Sequence, residues 1–361
     1  MNDLMTENLD KSFCSGGHDY ICGLIDEAIE NGSRTATVRG NWEIDTAIRL
    51  PSNFTLILDN CHLRMASGCY SNMFVNEHHD TDIGRTVEGT DRNISIIGKG
   101  EAILDGGEYN GLSEKTQLVN GMPPVWKNNL VLFTNVCGFK VFGISCRNQR
   151  WWALNFVYCR EGYLGKIDFC ASDAATDENG NVYHGLKRSK YSDVLVKNAD
   201  GIDLRQGCHD IVIENITGFT EDDTIALTGL NGNIEKHFSV EGLPSDICNV
   251  KIKNIATASY CTNVRLLNQG DVKLHDIEID GVYDMAKKSA HLDRGRYVVR
   301  VGDNYLYGER HSTPEETYNI TVKNITATAN DAIYLAGAMS NLVMYGIECG
   351  EGTKMITDER M

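Results

Sequence analysis

Short runs of alternating apolar and polar residues recur along the whole chain. Asn53-Phe54-Thr55-Leu56-Ile57-Leu58, Asn93-Ile94-Ser95-Ile96-Ile97-Gly98 and Gly138-Phe139-Lys140-Val141-Phe142-Gly143 come first. Asp210-Ile211-Val212-Ile213-Glu214-Asn215, Asn249-Val250-Lys251-Ile252-Lys253-Asn254 and Asp271-Val272-Lys273-Leu274-His275-Asp276 follow. Tyr318-Asn319-Ile320-Thr321-Val322-Lys323-Asn324 and Ser340-Asn341-Leu342-Val343-Met344 close the series. Period-2 alternation rich in β-branched residues marks a strand with one buried face.

The spacing of these runs predicts how they stack. Phe139 to Tyr163 is 24 residues, and Val250 to Val272 and Ile320 to Leu342 are 22 each. Tyr163 to Ile211 and Val272 to Ile320 are 48 each, either two periods or one period plus a long loop. A fixed period of roughly 20 to 50 residues signals a solenoid. Short β-runs without helical repeats make it a β-solenoid, in which each coil buries its interior against its neighbours. The amphipathic stretch Tyr20–Ile29, stopping at Asn31-Gly32, predicts a helix that caps the first coil. The expected organisation is one domain over residues 1–361, with a cap over 1–40 and coils over 41–350. Insertions at about 107–128, 171–193 and 229–246 break the rhythm; long loops on a regular scaffold commonly carry binding residues.

Composition narrows the partners. The net charge of −16 argues against nucleic acid and against an anionic membrane surface. No stretch of 18 apolar residues is present, so no membrane-spanning helix is expected. The acidic N-terminus lacks the basic-then-apolar order of a secretory signal, and the twelve cysteines form no CxxC pair. Reduced thiols buried in coil interiors, in a cytoplasmic protein, are the expectation. No metal or cofactor is expected.

The chemistry concentrates in two aspartate clusters one coil apart. Asn198-Ala199-Asp200-Gly201-Ile202-Asp203 is followed by Glu221-Asp222-Asp223, with Asp200 and Asp222 22 residues apart. If one repeat is one coil, Asp200 lies beneath Asp222 and Asp223 at a strand spacing of roughly 4.8 Å. Carboxylates that close repel and raise one another's pKa, an arrangement suited to acid–base catalysis. The bland alternative is an Asp/Asn ladder that satisfies turn amides, and stacked aspartates can also ligate calcium.

At these residues the sequence resembles the right-handed parallel β-helix of the pectin-lyase-like superfamily, and more specifically the polygalacturonases of glycoside hydrolase family 28. The family's Asn-Thr-Asp-Gly and Gly-Asp-Asp motifs correspond to Asn198-Ala199-Asp200-Gly201 and Glu221-Asp222-Asp223. Ile94-Ser95-Ile96-Ile97-Gly98-Lys99-Gly100 with Leu104-Asp105-Gly106 is similar to its glycine-rich coil. Trp151-Trp152-Ala153-Leu154, followed by Val157-Tyr158-Cys159, matches its aromatic coil. The resemblance spans roughly residues 40 to 350 and implies an all-β fold with a short N-terminal capping helix.

It also implies an inverting glycosidase acting on galacturonide-like or related plant-derived oligosaccharides. Asp222 would be the general acid, while Asp200 and Asp223 would hold and deprotonate the water. Asp203 is expected to cap a turn or to hydrogen-bond within its coil. The family's Gly-His-Gly is replaced by Cys261-Thr262-Asn263, with Thr262 near the histidine's place, and its Arg-Ile-Lys aligns with Arg300-Val301-Gly302. Substrate contacts are expected from Arg265 and Arg300, since Arg grips a carboxylate bidentately. His184 and His237, in the insertions, are candidates to replace the lost histidine. Trp151 and Trp152 should face opposite sides of a strand; the outward one, taken as Trp151, could stack a sugar. The rival readings are a lyase, epimerase or intramolecular glycosyl transferase on the same scaffold, and a non-catalytic carbohydrate-binding β-helix.

Overall fold

The computed structural model describes residues 12–107, 125–149, 151–171, 174–176, 182–184, 199–269, 271–303, 307 and 310–360. Two parallel sheets run its length, one of eleven strands and one of ten. A small antiparallel hairpin, Ala174–Thr176 with Val182–His184, lies outside both. Strand order within each long sheet follows chain order, and the chain passes back and forth between the two sheets. The result is a parallel β-helix.

The alternating runs build its interior. In the larger sheet one inward ladder reads Leu56, Ile96, Val141, Leu164, Ile213, Ile252, Ile279, Val322 and Met344 in successive coils. The facing ladder of the smaller sheet reads Phe74, Val131, Leu154, Ile202, Ile225, Val264, Val299, Ile333 and Ile356. All but the last rung of each is fully buried, and each such side chain contributes about 1.5–3 kcal/mol over its exposed state.

The corners explain where the repeat restarts. Asp210, Asn249, Asp276, Asn319 and Asn341 all adopt left-handed backbone, with φ of 56°, 51°, 54°, 54° and 50°. Asn and Asp tolerate this region best among residues with a Cβ. Their side chains also bond along the stack: Asn319 Nδ2 donates to Asp276 Oδ1 at 2.9 Å, and Asn341 Nδ2 to Asn319 Oδ1 at 2.6 Å.

This corner rule corrects one expected strand. The run placed at Asp271–Asp276 begins too early, because the corner residue is Asp276; the strand is Leu274–Asp284, and Val250 pairs with Ile277 rather than Val272. Both long intervals turn out to be one coil plus an insertion. Gly162 pairs directly with Ile211, and Ile277 with Ile320.

The predicted helix spans Gly17–Glu30 and buries Gly17, Ile21, Ile25 and Ala28 against the first coil. Contact is close enough that a Cβ on Gly17 would stand 2.6 Å from the Glu43 carbonyl oxygen. Within the 229–246 insertion a short helix, Asn233–His237, leads into Phe238 and Val240. Ile234, Phe238 and Val240 pack on Leu132, Val157 and Tyr158, forming a second apolar cluster outside the coil interior. The insertions at 107–128 and 171–193 fall mostly outside the described residues. No disulfide joins any of the twelve cysteines, all of which are described. No described helix is long and apolar enough to cross a membrane.

Candidate active site

One outward ladder of the ten-stranded sheet reads Asn155, Asp203, Ala226, Arg265, Arg300 and Tyr334 in successive coils. Rungs are roughly 4.8 Å apart, and Ala226 offers only a methyl between Asp203 and Arg265. The space above it is a cavity of about 250 Å³, lined also by Trp152, Asp200, Arg205, Asp222, Asp223, Thr228, Leu230, Leu267 and Tyr307.

Four carboxyls converge there. Asp200 opens the strand Asp200–Arg205, paired with Trp152 of the coil before, and its Oδ1 accepts a 3.3 Å bond from the Asp223 N–H. Asp222 and Asp223 lie in the turn leading into the strand Ile225–Gly229. That turn is fixed by its backbone: Thr220 and Ser259 hydroxyls donate to the Asp222 carbonyl at 3.0 and 2.6 Å, and the Gly201 N–H donates to the Asp223 carbonyl at 2.9 Å. Asp200, Asp203 and Asp223 are buried, whereas Asp222 is half-buried and reaches solvent.

Arginines supply the counter-charge. Arg265, 6% exposed, donates to Asp223 at 2.9 Å and grips Asp303 with two bonds of 2.6 and 3.2 Å. Arg300, one rung on, also pairs with Asp303. Arg205 donates to Glu235 at 2.6 Å and to Asn155 at 3.1 Å, stands 3.7 Å from Asp203, and lies 4.0 Å over the Trp152 ring.

These contacts set the protonation pattern. Burial, then the charges of Asp203, Asp222 and Asp223, hold the Asp200 pKa well above the ordinary carboxyl range, against the pull of Arg265. Burial pushes Asp203 up to about 8 despite nearby Arg205. Asp303 is also raised by burial, in spite of its two arginines. The Cys261 thiol, hydrogen-bonded to Asp222, is pushed well up by burial and by the adjacent aspartates.

Among the described residues, two groups could hold a metal. Asp222, Asp223 and Cys261 offer ligand atoms within 4.8 Å of one another, as do Glu77, His78 and Asp91. Asp91 already accepts bonds from Ser52, Asn76 and His78.

The structure distributes the expected site residues unevenly. Asp200, Asp222, Asp223 and Arg265 share the cavity. Arg300 stands behind it, tied to Asp303. Thr262 opens the next coil's strand and is buried; its carbonyl accepts from the Thr224 N–H at 2.9 Å. The tryptophan assignment is reversed: Trp151 is 2% exposed and buried, and Trp152 lines the cavity. Trp151 has φ of 46°, which breaks the extended alternation on which the expectation rested. His237 is held elsewhere, with Nε2 2.6 Å from Asp80 and its ring stacked on Trp126. His184 ends the small hairpin strand Val182–His184, and its side chain lies outside the described residues. Sequence reasoning missed Arg205, Glu235, Asp303 and Tyr307. Of these, only Arg205 carried a signal, lying two residues beyond Asp203 and therefore on the same face.

No protein-family model matches the sequence, and no curated protein matches it. Solved structures do. The exopolygalacturonase of Thermotoga maritima is 14% identical with a TM-score of 0.51, over 94% of this chain and 88% of that one. The endo-xylogalacturonan hydrolase of Aspergillus tubingensis is 13% identical with a TM-score of 0.55, over 96% and 95%. A tailspike protein of E. coli bacteriophage HK620, in complex with a pentasaccharide, is 16% identical with a TM-score of 0.55, over 94% of this chain and 60% of that one. What this chain shares with them is the fold, the right-handed parallel β-helix.

Proposed function

We propose that the protein is a glycoside hydrolase that cleaves plant-derived oligosaccharides at this cavity, with inversion at the anomeric carbon. One observation carries the reading: Asp200, Asp203, Asp222 and Asp223 converge on a single cavity. The neighbours on the same fold, which include polygalacturonases and a xylogalacturonan hydrolase, add support.

Glycoside hydrolysis requires a protonated carboxyl at the leaving oxygen and a carboxylate at the attacking water. Asp222 is the member of the cluster open to solvent, so it protonates the leaving oxygen. Asp223, faced by Arg265, and Asp200, bonded to the Asp223 amide, hold and deprotonate the water. If the protein is cytoplasmic, as its thiol-rich composition suggests, short imported oligosaccharides are the substrates.

The test is a proton NMR time course with mixed oligosaccharides. New anomeric signals of inverted configuration are expected from the native protein, and none from Asp222→Asn with an unchanged circular dichroism spectrum. A fully active Asp222→Asn protein would overturn the assignment, and vinylic signals would replace hydrolysis with elimination.

A further inference from the structure

We infer that this cavity takes an uncharged sugar ring and rejects a uronate, an inference that rests on the hydrolase reading and specifies its substrate class. A uronate-binding site needs a cation that is free to meet the substrate carboxylate, as an arginine fork does. Among the described residues here, each arginine at or behind the cavity is already engaged by protein carboxylates. Arg205 is committed to Glu235, with Asp203 beside it. Arg265 is shared between Asp223 and Asp303. Arg300, which by resemblance would have gripped the substrate carboxylate, is turned onto Asp303. The described cavity wall itself holds four aspartates and two arginines, and no lysine.

A second observation concerns what the cavity still lacks. Asp203 Oδ2 and Asp223 Oδ1 are buried without a hydrogen-bond partner, on residues 1% and 2% exposed that line the cavity. A buried polar atom left unpaired is costly, so both await a ligand group. Sugar hydroxyls can donate to a carboxylate oxygen or accept from a protonated carboxyl, so they can satisfy either. A uronate carboxylate has no donor to offer and could meet only a carboxyl that carries its proton. It would also add a like charge beside Asp200, whose carboxyl is already raised by burial and by the charges of Asp203, Asp222 and Asp223. Arg205 covers one face of Trp152.

The experiment compares ligands that differ only in charge. Saturation-transfer NMR and titration calorimetry would be run on the native protein with galacturonide and glucuronide oligomers. Their methyl esters and carboxyl-reduced forms would be run beside them, with neutral hexose, 6-deoxyhexose and N-acetylhexosamine oligomers of equal length. Binding of one or more neutral ligands, at least tenfold tighter than any free acid, is the expected result. A free acid that binds as tightly as its ester, or more tightly, overturns the inference. Neutral ligands that bind but are never cleaved leave the inference standing and sink hydrolysis instead. Binding of no ligand in the panel overturns both.

Discussion

Arg265→Met is the sharpest test of how the carboxyl cluster is held together. The guanidinium is buried and makes three bonds, one to Asp223 and two to Asp303. Methionine keeps the apolar stem and removes the charge, stranding Asp223 and leaving Asp303 with Arg300 alone. Breaking a buried ion pair from one side costs about 3–5 kcal/mol, and that is the deficit expected at pH 8. Its pH dependence gives the mechanism away. Arg265 opposes the raised pKa of Asp200, of Asp203 and of Asp303, so without it all three rise further. The folded variant then binds more protons than the unfolded chain over a wider span. Stability is kept at acid pH and lost as pH climbs from the ordinary carboxyl range through the raised values. Urea unfolding of both proteins at pH 5 and pH 8, with m-values compared, should show the deficit shrinking by about half or more at pH 5 as the carboxyls neutralise. A loss at pH 8 under about 1 kcal/mol, the range of an exposed pair, would refute the reasoning. So would a deficit equal at both pH values.

Three further outcomes are expected. Asp203 carries a proton in the folded state up to about pH 8, so Asp203→Asn should gain in melting temperature relative to the native protein between pH 5 and pH 9; parallel pH curves would contradict this. Ala226→Leu should fill the cavity, lowering sugar affinity at least tenfold by calorimetry while the melting temperature changes by only a few degrees; undiminished affinity would place the sugar elsewhere. Asn319→Ala should lose about 2–3 kcal/mol in urea unfolding, from a left-handed backbone costing about 1–2 kcal/mol and two corner hydrogen bonds of about 1 kcal/mol each, partly offset by solvation. Asn319→Gly should lose less, because glycine removes the backbone part; equal losses would show that the corner conformation carries no cost.

The coils were legible because their signal is periodic. Residues such as Ile211, Val250 and Ile320 sit at matching places in the repeat, and the structure stacks them in one sheet. The misplacement near Asp271 came from reading alternation without asking which polar residue takes the corner. The site was legible only as far as it shares that period. Asp200, Asp222 and Asp223 lie at equivalent points of adjacent coils. Asp303 and Tyr307, by contrast, come after the strand Tyr297–Val301, where the alternation has ended. Glu235 reaches Arg205 from a helix inside an insertion, and no period points from one to the other. The contact of His237 with Asp80 joins residues 157 positions apart, which removed a histidine that proximity in sequence had offered to the site.

Apart from the 229–246 insertion, which reaches back to Asp80 and Leu132, each coil packs on the coils before and after it, and such a stack opens by fraying from its ends. The carboxyl cluster occupies the coils from Trp152 to Asp223, with the arginine rungs as far as Arg300. Paired coils continue beyond it on both sides, from Ile48 at one end to Asp358 at the other. Terminal coils can therefore open and reclose while the carboxyl cluster stays assembled. Backbone amides around Ile202 and Ile225 should exchange with solvent only through the largest openings of the molecule, and amides of Ser340–Cys349 through the smallest. Disassembly of the carboxyl cluster on heating then reports the opening of the centre of the stack and lags behind the first loss of β-structure at its ends.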